Sequence, residues 1–281
     1  MQRPSTFDFR LGLIGYPLGH SLSPKIHAAA LRACGLQGTY SLSPIPSEDK
    51  LALQALLTRI RFGEIHGLNV TIPHKQSVIE FMDELTPTAK AIGAVNTIYF
   101  RESKLIGDNT DAPGFLSDLK RVMSENQSSI ANRKSAIVLG AGGSARAVVY
   151  ALLHDGWNVT LAARRIEQAQ QLAKSFPGYN LSLTIFDLRS LDFDLIVNTT
   201  PLGMTPNIET SPLPKNMIFS KHTFIYDLVY NPRDTKLVKD ARAQGLSAAT
   251  GLGMLIEQAA LAFEKWTGAN VDRTAMRKAV E

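Results

Sequence analysis

Cysteine is almost absent from the sequence, and its scarcity excludes several kinds of site. Cys34 is the only cysteine among 281 residues, so neither an intramolecular disulfide nor a metal site with several cysteine ligands is possible. The six histidines are dispersed, without a helical pair spaced for a shared metal. We therefore expect no metal site, and a reducing compartment such as the cytoplasm as the setting of the protein.

Long apolar runs and blocks of like charge are also missing. No apolar stretch approaches the roughly 18 residues that span a bilayer, and the polar residues 1–10 lack the apolar core of a signal peptide. Lysine and arginine are interleaved with acids, and the net charge is only +5. This pattern predicts neither a nucleic-acid nor a membrane partner. It suits a small anionic ligand, although a solvated surface explains it equally well.

Short apolar runs alternate with amphipathic helical segments along most of the chain. This alternation is typical of an α/β fold with parallel sheets. A chain of 281 residues exceeds the usual size of one hydrophobic core, so two domains are expected. The predicted strands are 11–15, 40–42, 68–71, 94–99, 136–139, 159–162, 195–197 and 224–227, and the main predicted helices are 51–60, 145–153, 167–174 and 251–266.

The clearest motif is a glycine-rich turn between a predicted strand and an alanine-rich helix. The turn is Gly140-Ala141-Gly142-Gly143-Ser144-Ala145, which fits the dinucleotide-binding pattern G-x-G-x-x-G/A. In this setting the backbone N–H groups of a helix N-terminus would face a pyrophosphate. A tight turn that only needs small residues is the alternative. The following βαβ pattern favours dinucleotide binding.

The end of the next predicted strand indicates which dinucleotide binds. An NAD site usually has Asp or Glu about 20 residues after the glycines, whereas this strand ends in Ala163-Arg164-Arg165. Two guanidinium groups suit a 2′-phosphate, because they form charge-assisted and often bidentate hydrogen bonds with phosphate oxygens. Solvated arginines at a helix start are the alternative. The sequence favours NADP over NAD.

Three polar clusters lie outside this cycle and predict a second binding region. They cover residues 21–27, residues 69–75, and residues 93–97 together with 107–111. Each has an ordinary structural explanation. The serines of the first precede a helix and could cap it, Lys75 could be a surface lysine, and Asp108 or Asp111 could cap the next helix. The residues alone therefore predict a polar pocket without identifying its ligand.

Taken together, these clusters resemble the motifs of the shikimate dehydrogenase family, and the similarity extends along nearly the whole chain. Eight ordered blocks carry it: Ser21–His27, Asn69–Lys75, Gly93–Thr97, Gly107–Asp111, Gly140–Gly143, Asn198–Met204, Tyr226–Tyr230 and Gly251–Leu255. The resemblance implies two α/β domains separated by a cleft. Residues 1–110 plus 252–281 would form the substrate-binding and catalytic domain, and residues 111–251 a Rossmann-type NADP-binding domain.

The resemblance also implies a reaction and the residues that perform it. The reaction would be the reversible, NADPH-dependent reduction of 3-dehydroshikimate to shikimate in the pathway to chorismate and aromatic amino acids. Lys75 and Asp111 would be the catalytic pair. The expected substrate ligands are Ser21, Ser23, Asn69, Thr71, Asn96, Tyr230 and Gln258. The expected cofactor-binding residues are Gly140, Ala141, Gly142, Gly143, Ser144, Arg164, Arg165, Leu228 and Gly251.

One departure from the family pattern and two alternatives remain open. Gln168 stands where many relatives have a second basic residue, so the degree of NADP preference is unsettled. A quinate/shikimate dehydrogenase of broader specificity is the nearest alternative, but retention of Ser21 and Ser23 leaves little room for another hydroxyl. A non-catalytic regulator with this fold would be expected to have lost Lys75, Asp111 or the glycine turn. The expected assembly is a monomer or a homodimer.

Overall fold

The computed structural model describes residues 8–126, 134–179, 181–185, 192–214 and 217–281. Most of the N-terminal segment used in the signal-peptide argument lies outside these ranges. The chain divides into two compact units, unit 1 (Met1–Thr110 and Ile256–Glu281) and unit 2 (Asp111–Leu255). None of the helices in the described ranges is long and apolar enough to cross a membrane.

Strands and helices alternate along the chain, which confirms the predicted α/β class. The strands are β1 (Asp8–Gly15), β2 (Gln37–Pro44), β3 (Gly67–Val70), β4 (Glu84–Leu85), β5 (Thr97–Arg101), β6 (Lys104–Asp108), β7 (Ser135–Leu139), β8 (Asn158–Ala162), β9 (Leu181–Thr184), β10 (Leu195–Asn198), β11 (Phe224–Asp227) and β12 (Ala248–Thr250). The helices are α1 (Ser23–Ala33), α2 (Lys50–Arg61), α3 (Pro87–Ile92), α4 (Asp111–Glu125), α5 (Gly143–His154), α6 (Ile166–Ala173), α7 (Lys236–Ala243), α8 (Leu252–Thr267) and α9 (Arg273–Lys278), and a short 3-10 helix covers Ser77–Phe81.

The sheet of unit 1 is mixed, so the prediction of parallel sheets was wrong for this unit. Its strand order is β2-β1-β3-β5-β6-β4. β1 pairs in parallel with β2 and β3, but β5 is antiparallel to both β3 and β6. β5 and β6 are joined by Glu102 and Ser103, which both have positive φ angles (51° and 63°). That conformation suits a two-residue hairpin turn. The usual glycine or asparagine signal is missing there, which hid the hairpin.

The sheet of unit 2 has the strand order β12-β11-β10-β7-β8-β9, and its paired strands are parallel. Counted from β7 as the first strand, this is the order 3-2-1-4-5-6 of a dinucleotide-binding Rossmann fold. The order reverses between β7 and β10. In such sheets ligands bind outside the carboxyl ends of the strands at the reversal point. The expected Rossmann-type fold is therefore confirmed.

Helix α8 shows how the C-terminal residues return to unit 1, a point that periodicity alone leaves open. From Ile256 onward its residues belong to unit 1. Trp266 donates a hydrogen bond from its indole nitrogen to the backbone oxygen of Ile98 in β5 (3.2 Å). A Cβ atom on Gly67 would lie only 2.4 Å from the same indole. Glycine at this position of β3 therefore allows the helix to pack closely on the sheet.

Candidate active site

Three of the predicted substrate ligands are linked by hydrogen bonds in unit 1. Asn69 Nδ2 donates to the backbone oxygen of Asn96 (3.3 Å), and Asn96 Nδ2 donates to Gln258 Oε1 (3.2 Å). All three side chains are buried, although they come from β3, the segment before β5, and α8. Buried amides are retained only where hydrogen bonds offset their desolvation. The fold thus brings these three residues together as a polar cluster.

A backbone group fixes the orientation of two of these amides. The N–H group of Thr110 can only donate, and it lies 2.7 Å from Asn96 Oδ1. Asn96 must therefore direct its nitrogen towards Gln258, and the Gln258 atom that receives this bond must be the oxygen. The other end of the Gln258 amide is therefore its nitrogen, which can only donate. A substrate atom that contacts this nitrogen must be a hydrogen-bond acceptor.

The loops that follow β1 and β3 contain the other predicted ligands of unit 1. The two loops are joined where Tyr16 donates its backbone N–H to Ile72 O (2.8 Å). Ser21 Oγ accepts a weak hydrogen bond from the N–H of Ser23 (3.3 Å), the first residue of α1. The N-cap position of α1 is Leu22, and it has no side-chain cap hydrogen bond, so neither serine caps the helix as the structural alternative supposed. Thr71 directly follows β3 and is partly exposed.

The backbone on both sides of Lys75 is held in place, whereas the residue itself is partly exposed. Its backbone oxygen accepts a hydrogen bond from Val95 N (2.7 Å). The preceding His74 is buried, and its Nε2 lies 2.6 Å from the backbone oxygen of Ile45. Because a carbonyl oxygen can only accept, Nε2 is the donor in this hydrogen bond. The segment can thus support a reactive lysine at a fixed position.

The two aspartates of the third cluster lie in different surroundings. Asp108 Oδ1 accepts hydrogen bonds from Thr86 Oγ1 and Asn109 N, both at 2.7 Å. Its other carboxylate oxygen lies 2.7 Å from Lys265 Nζ. These contacts give Asp108 a structural role. Asp111 is buried and is the first residue of α4.

The glycine-rich turn of unit 2 has a geometry that fits a pyrophosphate. Gly140 has a φ of +111°, and a Cβ atom there would lie 2.7 Å from Thr199 Oγ1, so the fold itself requires glycine. Gly142 has an ordinary φ of −85°, and a Cβ atom there would meet no atom within 4 Å. The first turn of α5, which includes Ser144, has no side-chain cap on Gly142. A helix N-terminus without a side-chain cap, next to a glycine with open space at its Cβ position, is compatible with an anionic ligand.

The two arginines lie at the same edge of the sheet as the glycine turn. β7 and β8 are paired with Leu139 opposite Ala162, so Gly140 and Arg164 both follow the carboxyl ends of neighbouring parallel strands. Arg164 and Arg165 are exposed, and Arg165 directly precedes α6. The backbone positions of the two arginines at this edge are compatible with the predicted 2′-phosphate site.

The remaining predicted residues of unit 2 lie near the end of β11 and the start of α8. A Cβ atom on Gly251 would lie 2.1 Å from the backbone oxygen of Leu228, so these two predicted cofactor residues are in close contact. Tyr230 is partly buried, and burial raises the pKa of its hydroxyl. Its hydroxyl therefore stays protonated near neutral pH and can donate a hydrogen bond.

A buried network at the ends of β10 and β11 was missed by the sequence analysis. Asp227 Oδ1 accepts hydrogen bonds from Asn198 Nδ2 (2.8 Å) and Val229 N (3.0 Å), and its Oδ2 accepts one from Thr235 Oγ1 (2.6 Å). Burial nevertheless raises the pKa of Asp227 to about 6. The network ties together the loops that follow two central strands. The available signal was a polar residue at the end of each buried strand.

Comparison with known proteins identifies the family. A family model for the shikimate dehydrogenase substrate-binding domain matches residues 13–98, one for shikimate/quinate 5-dehydrogenase matches residues 122–243, and one for the shikimate 5′-dehydrogenase C-terminal domain matches residues 251–281. The chain belongs to the shikimate dehydrogenase family. This confirms the resemblance that the sequence motifs indicate.

Individual members of the family are similar over nearly their full length. The NADP(+)-dependent shikimate dehydrogenase of Carboxydothermus hydrogenoformans is 41% identical, with 96% of this chain and 95% of the relative covered. The crystal structure of shikimate 5-dehydrogenase from Thermus thermophilus in complex with NADP(H) and shikimate has a TM-score of 0.84 at 38% identity, covering 96% of this chain and 98% of that one. A ligand-free 5-ketofructose reductase from Gluconobacter sp. strain CHM43 has a TM-score of 0.83 at 29% identity, covering 98% of each chain.

The raised pKa of Asp227 predicts a pH dependence of stability. Its folded-state pKa of about 6 lies above the ordinary value of 3.8, so the folded state binds this proton more tightly than the unfolded state does. The stabilisation that results is fully present below pH about 4 and is lost as pH rises through about 6. Asp227→Asn lacks this titration. The free energy of unfolding of the wild type relative to this variant should therefore fall by about 2 kcal/mol between about pH 4.5 and about pH 7.

Urea unfolding at several pH values measures this difference. Asp240→Asn, a change of an exposed carboxylate in the same unit, is the matched control and should give a difference that varies by less than about 0.5 kcal/mol. A difference that stays constant with pH for Asp227→Asn would contradict the raised pKa.

Proposed function

We propose that this protein is an NADP-dependent shikimate dehydrogenase that reversibly reduces 3-dehydroshikimate to shikimate. In this proposal unit 1 is the substrate-binding and catalytic domain and unit 2 is the NADP-binding domain. The observation that carries the proposal is the buried, hydrogen-bonded cluster of Asn69, Asn96 and Gln258. Oriented amides suit a ring with several hydroxyls, because a site built to hydrogen-bond a hydroxyl rejects analogues that lack it.

The remaining substrate contacts follow from the kinds of side chain present. Ser21, Ser23 and Tyr230 offer hydroxyl donors for the substrate carboxylate. Thr71, two residues after Asn69, offers another hydroxyl. The raised pKa of Tyr230 keeps its proton available for such a bond. A carboxylate bound by hydroxyls needs no arginine in these motifs.

The geometry of unit 2 supports the choice of NADP. The turn Gly140 to Gly143 and Ser144 would hold the pyrophosphate, and Arg164 with Arg165 would hold the 2′-phosphate. Ala141, Leu228 and Gly251 would complete the site. When bound, NADPH supplies the hydride that reduces the ketone carbon. A carboxylate in place of either arginine would instead favour NAD.

Lys75 and Asp111 would provide the acid–base chemistry. The ketone oxygen gains negative charge during reduction and must receive a proton. An ammonium group on Lys75 can donate this proton, and in the reverse direction the neutral amine can accept it. Asp111 would hold the lysine and the neighbouring substrate hydroxyl in place.

The proposal also covers the cellular compartment and the oligomeric state of the protein. A single cysteine suits a reducing cytoplasm, and a monomer or a homodimer is the expected assembly. Two other substrates deserve a direct comparison. Quinate differs from shikimate by one more ring hydroxyl, and 5-ketofructose is named for a protein of similar fold.

The absorbance of reduced nicotinamide gives the first test. The purified protein is assayed with shikimate or quinate crossed with NADP+ or NAD+, and with 5-ketofructose and NADPH. We expect rapid turnover only with shikimate and NADP+, because the oriented amides and the arginine pair favour these two ligands. Comparable turnover with quinate would indicate the broader specificity. Folded protein that turns over none of these pairs would contradict the proposed function.

Removal of the arginine side chains should weaken cofactor binding selectively. In the double variant Arg164→Ala/Arg165→Ala, the KM for NADP+ should rise about 10- to 100-fold, because charge-assisted hydrogen bonds to the 2′-phosphate are lost. The kinetics with NAD+ should change little. Arg242→Ala, which removes an arginine of α7, is the control. An equal loss with both cofactors would show that the arginines do not recognise the 2′-phosphate.

Removal of the Lys75 amine should slow the chemical step. We expect kcat of Lys75→Ala to fall about 10²- to 10⁴-fold, as is typical when an acid–base group is lost, while the KM for NADP+ changes little. Lys25→Ala removes an exposed lysine of α1 and should retain full activity. An unchanged kcat with a raised KM for shikimate would limit Lys75 to substrate binding.

A further inference from the structure

The imidazole of His27 is completely buried in unit 1, and none of the roles proposed above uses it. Within the described residues, neither of its ring nitrogens makes a hydrogen bond of acceptable geometry. Burial lowers the pKa of His27 to about 3, so the ring is neutral at physiological pH. A buried polar group without a good partner is destabilising. Its position therefore calls for a physical explanation.

The surroundings of His27 are mainly aromatic. Its ring lies flat against the ring of Tyr40, with the centroids 4.2 Å apart and the planes at 5°. The indole of Trp266 lies on another side, with the centroids 5.4 Å apart, and it occupies the space that Gly67 leaves open. The side chain of Asn69 also lies near the ring, and its effect on the pKa of His27 is upward, opposite to that of burial. His27 thus holds the Tyr40 ring from one side and lies beside a predicted substrate ligand.

The hydroxyl of Tyr40 contacts that same ligand. Tyr40 lies in β2 and Asn69 in β3, on either side of β1 in the sheet. The hydroxyl donates a hydrogen bond to Asn69 Oδ1 (2.8 Å). Asn69 Nδ2 donates to the backbone oxygen of Asn96, an atom that can only accept. The Asn69 amide therefore has one orientation, and Tyr40 must be the donor in its bond to Asn69.

We propose that Tyr40, held in place by the stacked ring of His27, is a positioning residue that restrains the Asn69 side chain at the position from which it binds a substrate hydroxyl. The proposal rests on the proposed function, because only that function makes Asn69 a substrate ligand. Tyr40 does not touch the substrate in this scheme. The backbone oxygen of Asn96 sets which end of the Asn69 amide is the donor. The bond from Tyr40 restricts the movement of this amide, so that a ring hydroxyl meets it at a defined position.

Tyr40→Phe is the primary variant, because it removes only the hydroxyl and keeps the stacked ring. The KM for shikimate should rise about 5- to 10-fold, as expected from the loss of one buried hydrogen bond, with kcat and the KM for NADP+ within about twofold of wild type. Tyr99→Phe removes the hydroxyl of another buried tyrosine of unit 1 and should leave all three constants unchanged. An unchanged KM for shikimate in Tyr40→Phe would overturn the proposal.

A double-mutant cycle distinguishes positioning from a general loss of stability. If Tyr40 acts through Asn69, Tyr40→Phe should cause no further rise in KM in an Asn69→Ala background. The same fold-increase in both backgrounds would mean that Tyr40 acts independently of Asn69, which would overturn the proposal. Calorimetric titration with shikimate measures the same coupling through Kd and does not depend on turnover.

Two variants of His27 test its part in the arrangement. His27→Phe keeps the stacked ring and removes the two buried nitrogens, so it should leave KM unchanged. His27→Ala removes the stack and should raise KM about as much as Tyr40→Phe does. Equal increases in both variants would show that the ring nitrogens, rather than stacking, are needed. Wild-type protein that neither binds nor oxidises shikimate would refute the proposed function itself, whereas an active wild type with a normal Tyr40→Phe variant refutes only the positioning role.

Discussion

The need to satisfy buried amides at the carboxyl-terminal side of β3 is the constraint on which the candidate site depends. Asn69, Asn96 and Gln258 are far apart in the sequence, yet each supplies a hydrogen bond that another would otherwise lack. The N–H of Thr110 gives this chain of bonds its direction, since a backbone donor has only one possible role. An amide turned the other way would place two donors or two acceptors against each other. Packing of the sheet and polarity of the site are therefore set by the same bonds.

Unit 2 also contains a buried polar side chain whose hydrogen bonds connect separate loops, but here the side chain is a carboxylate instead of an amide. Asp227 receives three donors at the end of β11, and its partner Asn198 also accepts the N–H and the hydroxyl of Thr200 in the next loop. These bonds join the loops at the edge where a Rossmann sheet binds its ligand. Burial opposes the charged form strongly enough that the pKa of Asp227 stays raised despite its three donors. The loops are thus held by a group whose charge depends on pH.

The sequence predicted the parts of the structure that have a local signature. The turn at Gly140, the strands β7, β8, β10 and β11, and the start of α5 follow from apolar runs and glycine spacing. The β5–β6 hairpin was not predictable in this way, because Glu102 and Ser103 adopt positive φ angles without the usual turn residues. The roles of Tyr40 and His27 depend on contacts between β2, α1 and β3. Periodicity carries no information about such pairs, so only the folded chain shows them.

The glycine-rich turn shows why a motif and a structure answer different questions. The pattern G-x-G-x-x-G/A does not say why each glycine is needed. In the structure, Gly140 and Gly142 have different backbone conformations and different surroundings. Gly140 is required by the protein itself, because its φ is positive and Thr199 leaves no room for a side chain. Gly142 has an ordinary backbone conformation and open space where a side chain would project. Packing and strain therefore leave its identity unexplained, and under the proposed function a ligand that approaches the backbone closely would supply the reason. In the proposed cofactor site, Gly142 would therefore serve the ligand and Gly140 the fold.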